Sequence, residues 1–299
     1  MAVEDRAAPI SSGAANLWFA APAMLLFGTF VLWPLGASVY YAFTFWDGFS
    51  EPRWAGLTNF IRGLTDPTYL MSYVHVVLYI LATLIFEVSF GLVMAVLLNS
   101  DRRGFSLMRG MFFSPVVLSM SAAGVLWTFV LDYRSGLLNS VLKSIGLGDW
   151  AQPWMAQPET ALLFICMVSG WKYAGFYMVI FFAALRRIPK NIYEAARLDG
   201  ANAMHQFFAI TLPMLKQNIL VCVLLAVTGG FAGFDLFFTM SNGQPFGATE
   251  VPATWIIKQA FDQDQIGYGV ALTVILTVVV SLISIIYIRL SERANVTRY

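Results

Sequence analysis

Long apolar runs separated by short polar segments dominate this chain. A helix needs about 20 mostly apolar residues to cross the hydrocarbon core of a bilayer. Six runs have roughly that length, and none alternates between apolar and polar residues as the strands of a membrane β-barrel do. The pattern therefore predicts an all-α, polytopic membrane protein with six transmembrane helices. The predicted spans are 17–43, 73–98, 110–131, 161–184, 218–240 and 267–288.

Composition strengthens this prediction. Hydrophobic residues make up 59% of the chain and charged residues 12%, whereas soluble domains carry about 25% charged residues. The aromatic content of 15% excludes a disordered chain. A net charge of +1 provides no field that would attract nucleic acid, so no nucleic-acid partner is expected. The lipid bilayer is the expected surroundings.

The distribution of basic residues predicts the orientation. Cytoplasmic loops of membrane proteins carry an excess of Lys and Arg. With both termini in the cytoplasm, twelve basic residues lie inside, five lie outside and Lys172 lies in a span. The inner ones are Arg6, Arg102, Arg103, Arg109, Arg186, Arg187, Lys190, Arg197, Lys216, Arg289, Arg293 and Arg298. The outer ones are Arg53, Arg62, Arg134, Lys143 and Lys258.

The predicted organisation is one membrane domain, 17–290, between short cytoplasmic tails, 1–16 and 291–299. The first apolar run is longer than the 7–15 residues of a signal-peptide core. The small residues that a signal peptidase would need, Ala20 and Ala21, precede most of that run. We therefore expect a retained helix at this position.

One cytoplasmic segment, 186–218, is longer and more polar than the other connections. Pro189 prevents span four from continuing, and Asn191 with Glu194 three residues later resembles a helix-capping pair. Gly200 can adopt the positive φ of a helix end. These features predict a helix, a sharp turn and a second helix. The pattern alone leaves open whether this hairpin lies on lipid headgroups or docks a soluble partner.

The same segment carries a resemblance to a known family. Its fixed elements and their spacing are similar to the EAA loop of binding-protein-dependent ABC importer permeases, in the form common in the carbohydrate-uptake branch. They are Glu194-Ala195-Ala196, Asp199-Gly200-Ala201 and Ile210-Thr211-Leu212-Pro213. Further similar segments are Gly136-Leu137-Leu138-Asn139, Phe234-Asp235 with Asn242-Gly243-Gln244-Pro245 and Thr249, and Gly267-Tyr268-Gly269-Val270-Ala271. Gln244 stands where the family usually has a second Gly.

This resemblance implies the type I ABC importer transmembrane fold, with a cytoplasmic coupling helix in the loop. The residues that would contact an ATPase subunit are Glu194, Ala195, Ala196, Asp199 and Gly200. It also implies a related second permease subunit, two ATPase subunits that bind ATP and Mg, and an extracytoplasmic solute-binding protein. The expected location is the bacterial plasma (inner) membrane. The chain itself has no GxxxxGK[ST] phosphate loop, so no cofactor and no enzymatic activity are expected in it.

Charged residues inside the predicted spans are candidates for the solute path. A charge at the bilayer centre costs about 2.5–3.5 kcal/mol on insertion scales, so it usually faces a cavity or a partner. Three such residues and four neighbouring aromatics are suited to bind hydroxyls and sugar faces: Glu87, Trp171, Lys172, Tyr173, Phe234, Asp235 and Phe238. The alternative is that the charges lie near span ends or pair with one another and serve structure only.

The function predicted from these features is ATP-driven import of a sugar or related polyol through a permease subunit. An ion-coupled secondary transporter is the competing interpretation. Such transporters often contain inverted repeats, and the two halves of this chain show no common pattern. A membrane enzyme is disfavoured because the acidic residues are scattered and only two His are present.

Overall fold

The computed structural model describes residues 13–100 and 103–296, which fold mainly into helices. Arg6, Arg102 and Arg298 and most of the predicted N-terminal tail lie outside the described residues. The last helix continues to Val296, beyond the predicted end of the membrane domain at 290.

Four straight segments are long and apolar enough to cross a membrane: Ala20–Ala42, Pro67–Leu97, Pro158–Leu185 and Ile266–Leu290. They correspond to predicted spans one, two, four and six. The helices in the first two are Gly13–Phe27, π-helical Gly28–Leu32 and Trp33–Ala42, then Pro67–Thr83, π-helical Leu84–Ser89 and Phe90–Leu97. The other two are continuous α-helices, Pro158–Leu185 and Ile266–Val296.

The third predicted span is not one straight helix. Phe105–Phe113 continues as the 3₁₀ turn Ser114–Val117, and Met120–Val130 then leaves at 99°. Pro115 cannot donate a backbone hydrogen bond and its ring disfavours a continuing α-helix. Ser119 then starts the next helix, because its side chain accepts a 3.1 Å hydrogen bond from the N–H of Ala122.

The fifth predicted span is also divided. The helix Lys216–Phe231 ends before the short helix Asp235–Met240 begins. Gly229, Gly230 and Gly233 surround this break, and glycine is a poor helix former. At its other end, the Lys216–Phe231 helix follows the segment Ala203–Met214, and the two meet at Leu215 with a bend of 69°. By length and composition alone, counting each bent pair as one span gives six candidate spans in the described residues, although 203–214 belongs to the hairpin described below.

Close backbone contacts fix the Pro158–Leu185 helix at the centre of the fold. A Cβ on Gly91 would lie 2.8 Å from the Cβ of Tyr177, and a Cβ on Gly175 would collide with the carbonyl oxygen of Phe112. Only glycine allows the neighbouring backbones to approach so closely. Buried apolar side chains fill the surrounding space in two main clusters, one around Phe237 and the other around Phe181.

One end of the helix bundle carries a small cap. Asp66 links its elements, since its carboxylate accepts hydrogen bonds from the N–H groups of Thr68 and Tyr69, from the indole of Trp255 and from the hydroxyl of Tyr268. The antiparallel strands Thr44–Phe45 and Arg53–Trp54 pair in the register Thr44↔Trp54. Further short helices in the connections between the spans are Thr58–Thr65, Leu137–Ser144, 3₁₀ Gly148–Trp150, Pro252–Ile257 and π-helical Lys258–Asp262.

A partly buried ion pair anchors the loop 241–250 at this end. Lys258 Nζ lies 2.6 Å from Glu250 Oε2 and donates a 2.8 Å hydrogen bond to the carbonyl of Asn242. Gly243 has a φ of +80°, which explains a glycine there, whereas Gln244 is not among the residues with positive φ. The replacement of the usual second Gly by Gln244 therefore fits the backbone of this loop.

Candidate functional site

A cavity of about 380 Å³ lies between the second, fourth and fifth spans. Its wall combines aromatic rings, hydroxyl groups, two carboxylates and a glycine-rich stretch. The lining residues are Tyr79, Thr83, Glu87, Met120, Ser169, Tyr173, Phe176, Tyr177, Leu225, Ala226, Gly229, Gly230, Ala232, Gly233, Phe234, Asp235, Leu236 and Phe237. Such a wall has apolar faces together with a few groups that can orient a polar solute.

A chain of hydrogen bonds positions Glu87 in this wall. Ser169 donates a 2.6 Å hydrogen bond to Glu87 Oε1, and the hydroxyl of Tyr79 lies 2.7 Å from Ser169 Oγ. All three side chains are buried. Glu87 belongs to the π-helical turn Leu84–Ser89, so the carboxylate is held by two helices at a place where the regular helix geometry changes.

Four of the seven residues predicted for the solute path line this cavity. Glu87 and Tyr173 come from the second and fourth spans, and Phe234 and Asp235 come from the break in the fifth. The structure thus brings together residues that are almost 150 positions apart in the sequence.

The other three predicted path residues lie elsewhere. Lys172 Nζ donates a 3.2 Å hydrogen bond to the carbonyl of Val116 at the bend in the third span. Trp171 packs edge-on against Trp127, with 5.6 Å between ring centroids, and lines a separate apolar groove. Phe238 stacks on Phe234 at 4.9 Å without being part of the cavity wall.

Sequence reasoning did not identify Tyr79 and Ser169, which complete the hydrogen-bond chain to Glu87. The signal that the sequence offered for each of them was a hydroxyl-bearing residue inside an apolar span. Ser169 lies three positions before Lys172, and a hydroxyl in a helix is common enough that its position gives no specific prediction. The glycines at 229, 230 and 233 were likewise visible in the sequence, but their part in a cavity wall was not.

At the other end of the bundle, the segment 186–218 forms the predicted hairpin. Its first helix is Lys190–Leu198 and its second part comprises Ala203–Gln206, π-helical Phe207–Thr211 and Leu212–Met214. The predicted cap at Asn191 is wrong. Pro189 is the last extended residue, with ψ of 133°, so the helix begins directly after it and without a side-chain cap.

The turn of the hairpin confirms the predicted role of Gly200 at a helix end. Gly200 has a φ of +81°. Its N–H donates to the carbonyl of Arg197, and the N–H of Ala201 donates to the carbonyl of Ala196. These two bonds form a Schellman motif, which ends a helix with a glycine in the left-handed conformation. Asn202 then caps the second helix by accepting a 2.8 Å hydrogen bond from the N–H of His205.

The hairpin is braced internally and exposed at its tip. The hydroxyls of Tyr193 and Thr211 lie 2.9 Å apart and join its two arms. Glu194, Ala195, Asp199 and Gly200 are exposed and Ala196 is partly exposed. The large apolar side chain of Leu198 is 90% exposed at the tip. The predicted ATPase-coupling residues therefore lie on one accessible element.

Comparison with known proteins identifies the family. The profile of the family described as "Binding-protein-dependent transport system inner membrane component" matches residues 87–296. The chain belongs to this family. Its members are permeases of binding-protein-dependent transporters, so the chain is an integral inner-membrane protein and not an enzyme. In such a transporter, ATP hydrolysis takes place in a separate ATPase subunit.

Relatives are similar in sequence to this permease along nearly its whole length. A probable ABC transporter permease, YurN of Bacillus subtilis (strain 168), is 33% identical over 91% of this chain and 94% of its own length. The osmoprotective compounds uptake permease GgtC of Synechocystis sp. is 32% identical, covering 91% and 96%. The arabinooligosaccharides transport permease AraP of Bacillus subtilis is 30% identical, covering 94% and 90%.

A solved structure confirms the type I ABC importer fold. A chain of a bacterial alginate ABC transporter, crystallised with an alginate pentasaccharide-bound periplasmic protein, superimposes with a TM-score of 0.82 at 20% identity. The superposition covers 94% of this permease and 95% of that chain. Because the family and its ABC permeases match, the competing interpretation of an ion-coupled secondary transporter is not favoured.

Proposed function

We propose that this permease forms part of the path for a sugar or related polyol, delivered by a solute-binding protein and driven by a separate ATPase. The observation that carries the proposal is the cavity in which the Glu87 carboxylate, the Ser169 hydroxyl and aromatic rings share one wall. Carboxylates and hydroxyls bind sugar hydroxyls, and rings cover the apolar faces of sugars. The names of the relatives, which include arabinooligosaccharide and diacetylchitobiose uptake permeases, support the same substrate class.

Within this path, we assign solute contact to Glu87, Tyr173, Phe234 and Asp235. Their common cavity supports that assignment. Trp171, Lys172 and Phe238 act from outside the wall in this proposal. Lys172 holds the bend of the third span, and Phe238 supports the ring of Phe234.

The proposed assembly contains a related second permease, two ATPase subunits that bind ATP and Mg, and the solute-binding protein. The hairpin 186–218 inserts into the ATPase, with Glu194, Ala195, Ala196, Asp199 and Gly200 at the contact. The 90% exposure of Leu198 supports this placement, because a large apolar side chain gains free energy when a partner covers it. The excess of basic residues on this side supports cytoplasmic termini.

Reconstitution of the complete transporter tests the function. Proteoliposomes that contain both permeases and the ATPase should take up a saccharide only with ATP and the solute-binding protein present. Uptake driven by an ion gradient without ATP would contradict the proposal.

A substitution at the hairpin tip tests the ATPase contact. Leu198→Ser should weaken association with the ATPase by at least about tenfold, since burial of a leucine contributes about 1.5–3 kcal/mol and each 1.4 kcal/mol is about tenfold. Phe49→Ser is the matched control, because Phe49 is 92% exposed in the loop between the two short strands at the opposite end of the bundle. Equal ATPase affinity for the two variants would exclude the hairpin tip from the interface.

A further inference from the structure

Gly229 lies in the cavity wall at a position where packing does not require a glycine. It belongs to the helix Lys216–Phe231 and is not among the residues with positive φ, so the left-handed conformation that favours glycine is not used. A Cβ added to Gly229 would meet no atom of the described residues outside its own helix within 4 Å. Alanine would therefore fit here, and it would also favour the helix more than glycine does.

The two other glycines in this part of the wall differ from Gly229. A Cβ on Gly230 would collide with the side chain of Ile80, because the helices of the second and fifth spans approach closely there. A Cβ on Gly233 would lie 3.1 Å from the carbonyl oxygen of Gly230. Close contacts thus explain the glycines at 230 and 233, whereas the glycine at 229 has open space beside it.

This open space belongs to the cavity. Leu225 and Ala226, four and three positions before Gly229, line the same cavity. Residues three and four apart lie on one face of a helix, so this face of the Lys216–Phe231 helix is turned to the cavity. The side chain of Leu225 takes up room at one turn of the wall, and one turn later Gly229 leaves the room free.

The missing side chain matters because the cavity is small. Its volume of about 380 Å³ is near the lower end of the range of about 300–1,000 Å³ that is usual for ligand cavities. In a pocket that fits its ligand closely, a single methylene group changes discrimination by about tenfold or more. A branched side chain at position 229 would therefore take up room that a large solute needs, while a small solute would still fit.

We propose that Gly229 sets the upper limit on the size of the saccharide that this cavity accepts, because its missing side chain leaves room for a sugar ring. The assignment rests on the proposed function, since it concerns the same path. A larger residue at 229 should exclude the largest transported saccharides first and leave the smallest nearly unaffected.

Uptake of saccharides of increasing length tests this limit. Proteoliposomes with the complete transporter and its solute-binding protein receive glucose, maltose and maltotriose, and separately arabinose, arabinobiose and arabinotriose. For each saccharide, the uptake rate with Gly229→Leu is divided by the rate with the unsubstituted permease, so the preference of the solute-binding protein cancels. This ratio should fall by at least about tenfold from the smallest to the largest transported saccharide. An equal ratio for all transported sizes would overturn the proposal.

Two further variants separate solute size from other effects. Gly36→Leu is the matched control, because Gly36 also lies in a membrane helix with open space around it and does not line the cavity. Gly229→Ala should fold normally and reduce uptake of the largest transported saccharide less than Gly229→Leu does, even where one saccharide alone is transported. Loss of the second permease from the complex purified with Gly229→Leu and with Gly229→Ala would place Gly229 at a subunit contact and overturn the proposal.

Thiol labelling locates position 229 independently of uptake rates. The thiol introduced by Gly229→Cys should react with N-ethylmaleimide, and the largest transported saccharide should slow the reaction several-fold by filling the space beside it. The native thiols of Cys166 and Cys222 are buried, so the unsubstituted permease provides the background. A thiol at 229 that does not react, or whose reaction the saccharide does not slow, would overturn the proposal.

Failure of this proposal can be distinguished from failure of the proposed function. If the unsubstituted transporter takes up no saccharide with ATP, the proposed function is contradicted, and the size limit with it. If it takes up saccharides with ATP and Gly229→Leu leaves the size profile unchanged, the import function stands and the role of Gly229 alone is overturned.

Discussion

The ammonium group of Lys172 binds the carbonyl oxygen of Val116 at 3.2 Å and thereby joins the fourth span to the bend in the third. Val116 belongs to the 3₁₀ turn Ser114–Val117, whose last carbonyls have no partner in a continuing helix. The lysine in the middle of this apolar helix thus donates a hydrogen bond to a backbone carbonyl of the neighbouring span.

Lys172→Met should lower the free energy of unfolding by about 1–3 kcal/mol, because the Val116 carbonyl loses its donor in an apolar environment. Saccharide affinity should stay within about twofold, since Lys172 does not line the cavity. Thermal unfolding in detergent and equilibrium binding measure the two effects. Lys143→Met, at an exposed lysine, serves as the control. Normal stability with lost binding would instead place Lys172 in the solute path.

Gly175→Ala should destabilise the permease by about 1–3 kcal/mol, the usual cost of overpacking. The added Cβ would collide with the carbonyl of Phe112, and a backbone atom cannot move aside as a side chain can. Gly110→Ala is the matched control on the Phe105–Phe113 helix that Gly175 contacts, with open space around it. That substitution should stabilise the helix by about 0.5–1 kcal/mol. The two changes in unfolding temperature should therefore have opposite signs.

Gly200→Val should reduce ATP-dependent uptake at least tenfold, because a β-branched residue at φ of +81° strains the turn by about 1–2 kcal/mol or more and displaces the hairpin tip. Gly200→Asn should retain most of the uptake, since Asn tolerates this conformation. Gly104→Val imposes the same backbone strain at φ of +98°, outside the hairpin and in open space. Equal loss of uptake at positions 104 and 200 would mean that strain alone, and not coupling, explains the defect.

Asp66→Asn should lower the free energy of unfolding by about 1–3 kcal/mol. One amide oxygen can still accept the N–H groups of Thr68 and Tyr69, but the amide NH₂ would face the donors of Trp255 and Tyr268. Asp132→Asn is the control, because a single oxygen of Asp132 accepts all of its hydrogen bonds. A destabilisation equal to that of the control would refute the linking role of Asp66.

The effect of Asp66→Asn on the free energy of unfolding should depend on pH. Partial burial raises the pKa of Asp66, but the hydrogen bonds from Tyr69, Tyr268 and Trp255 outweigh it and hold the pKa below its usual value. A carboxyl group with a lowered pKa in the folded state contributes stability that is lost as the pH falls through that pKa. The difference in stability between the unsubstituted permease and its Asp66→Asn variant should thus be full near neutral pH and shrink below about pH 4.

The sequence was sufficient to predict what depends on local composition. Apolar run length predicted the spans, and Gly200 predicted the end of the hairpin helix, because both follow from a few neighbouring residues. The bends of the third and fifth spans depend on how Pro115 and the glycines near Phe231 pack against neighbouring helices. The apolar pattern continues across both bends, so the length of the apolar runs could not predict them. The Glu250–Lys258 ion pair joins the end of the loop 241–250 to the π-helical segment Lys258–Asp262, and no periodicity describes the path of that loop.

The residues predicted for the solute path show a second limit of sequence-based prediction. Trp171, Lys172 and Tyr173 are consecutive, and consecutive helical residues point about 100° apart. Three neighbours therefore cannot all face one cavity, and only Tyr173 does so here. Which of the three faces inward depends on the rotation of the Pro158–Leu185 helix. Contacts at Gly91 and Gly175 fix that rotation, and they are invisible until the neighbouring helices are in place.

The helix Lys216–Phe231 begins where the cytoplasmic hairpin ends and finishes at the glycine-rich side of the cavity. At 1.5 Å per residue, it is a lever about 24 Å long. The opposite side of the cavity belongs to the Pro158–Leu185 helix, which is clamped by backbone contacts at Gly91 and Gly175. Backbone contacts therefore hold one side of the cavity, whereas the other side lies at a break between two helices. If the hairpin transmits a push from a partner, we expect the cavity to change shape from the Gly229–Asp235 side.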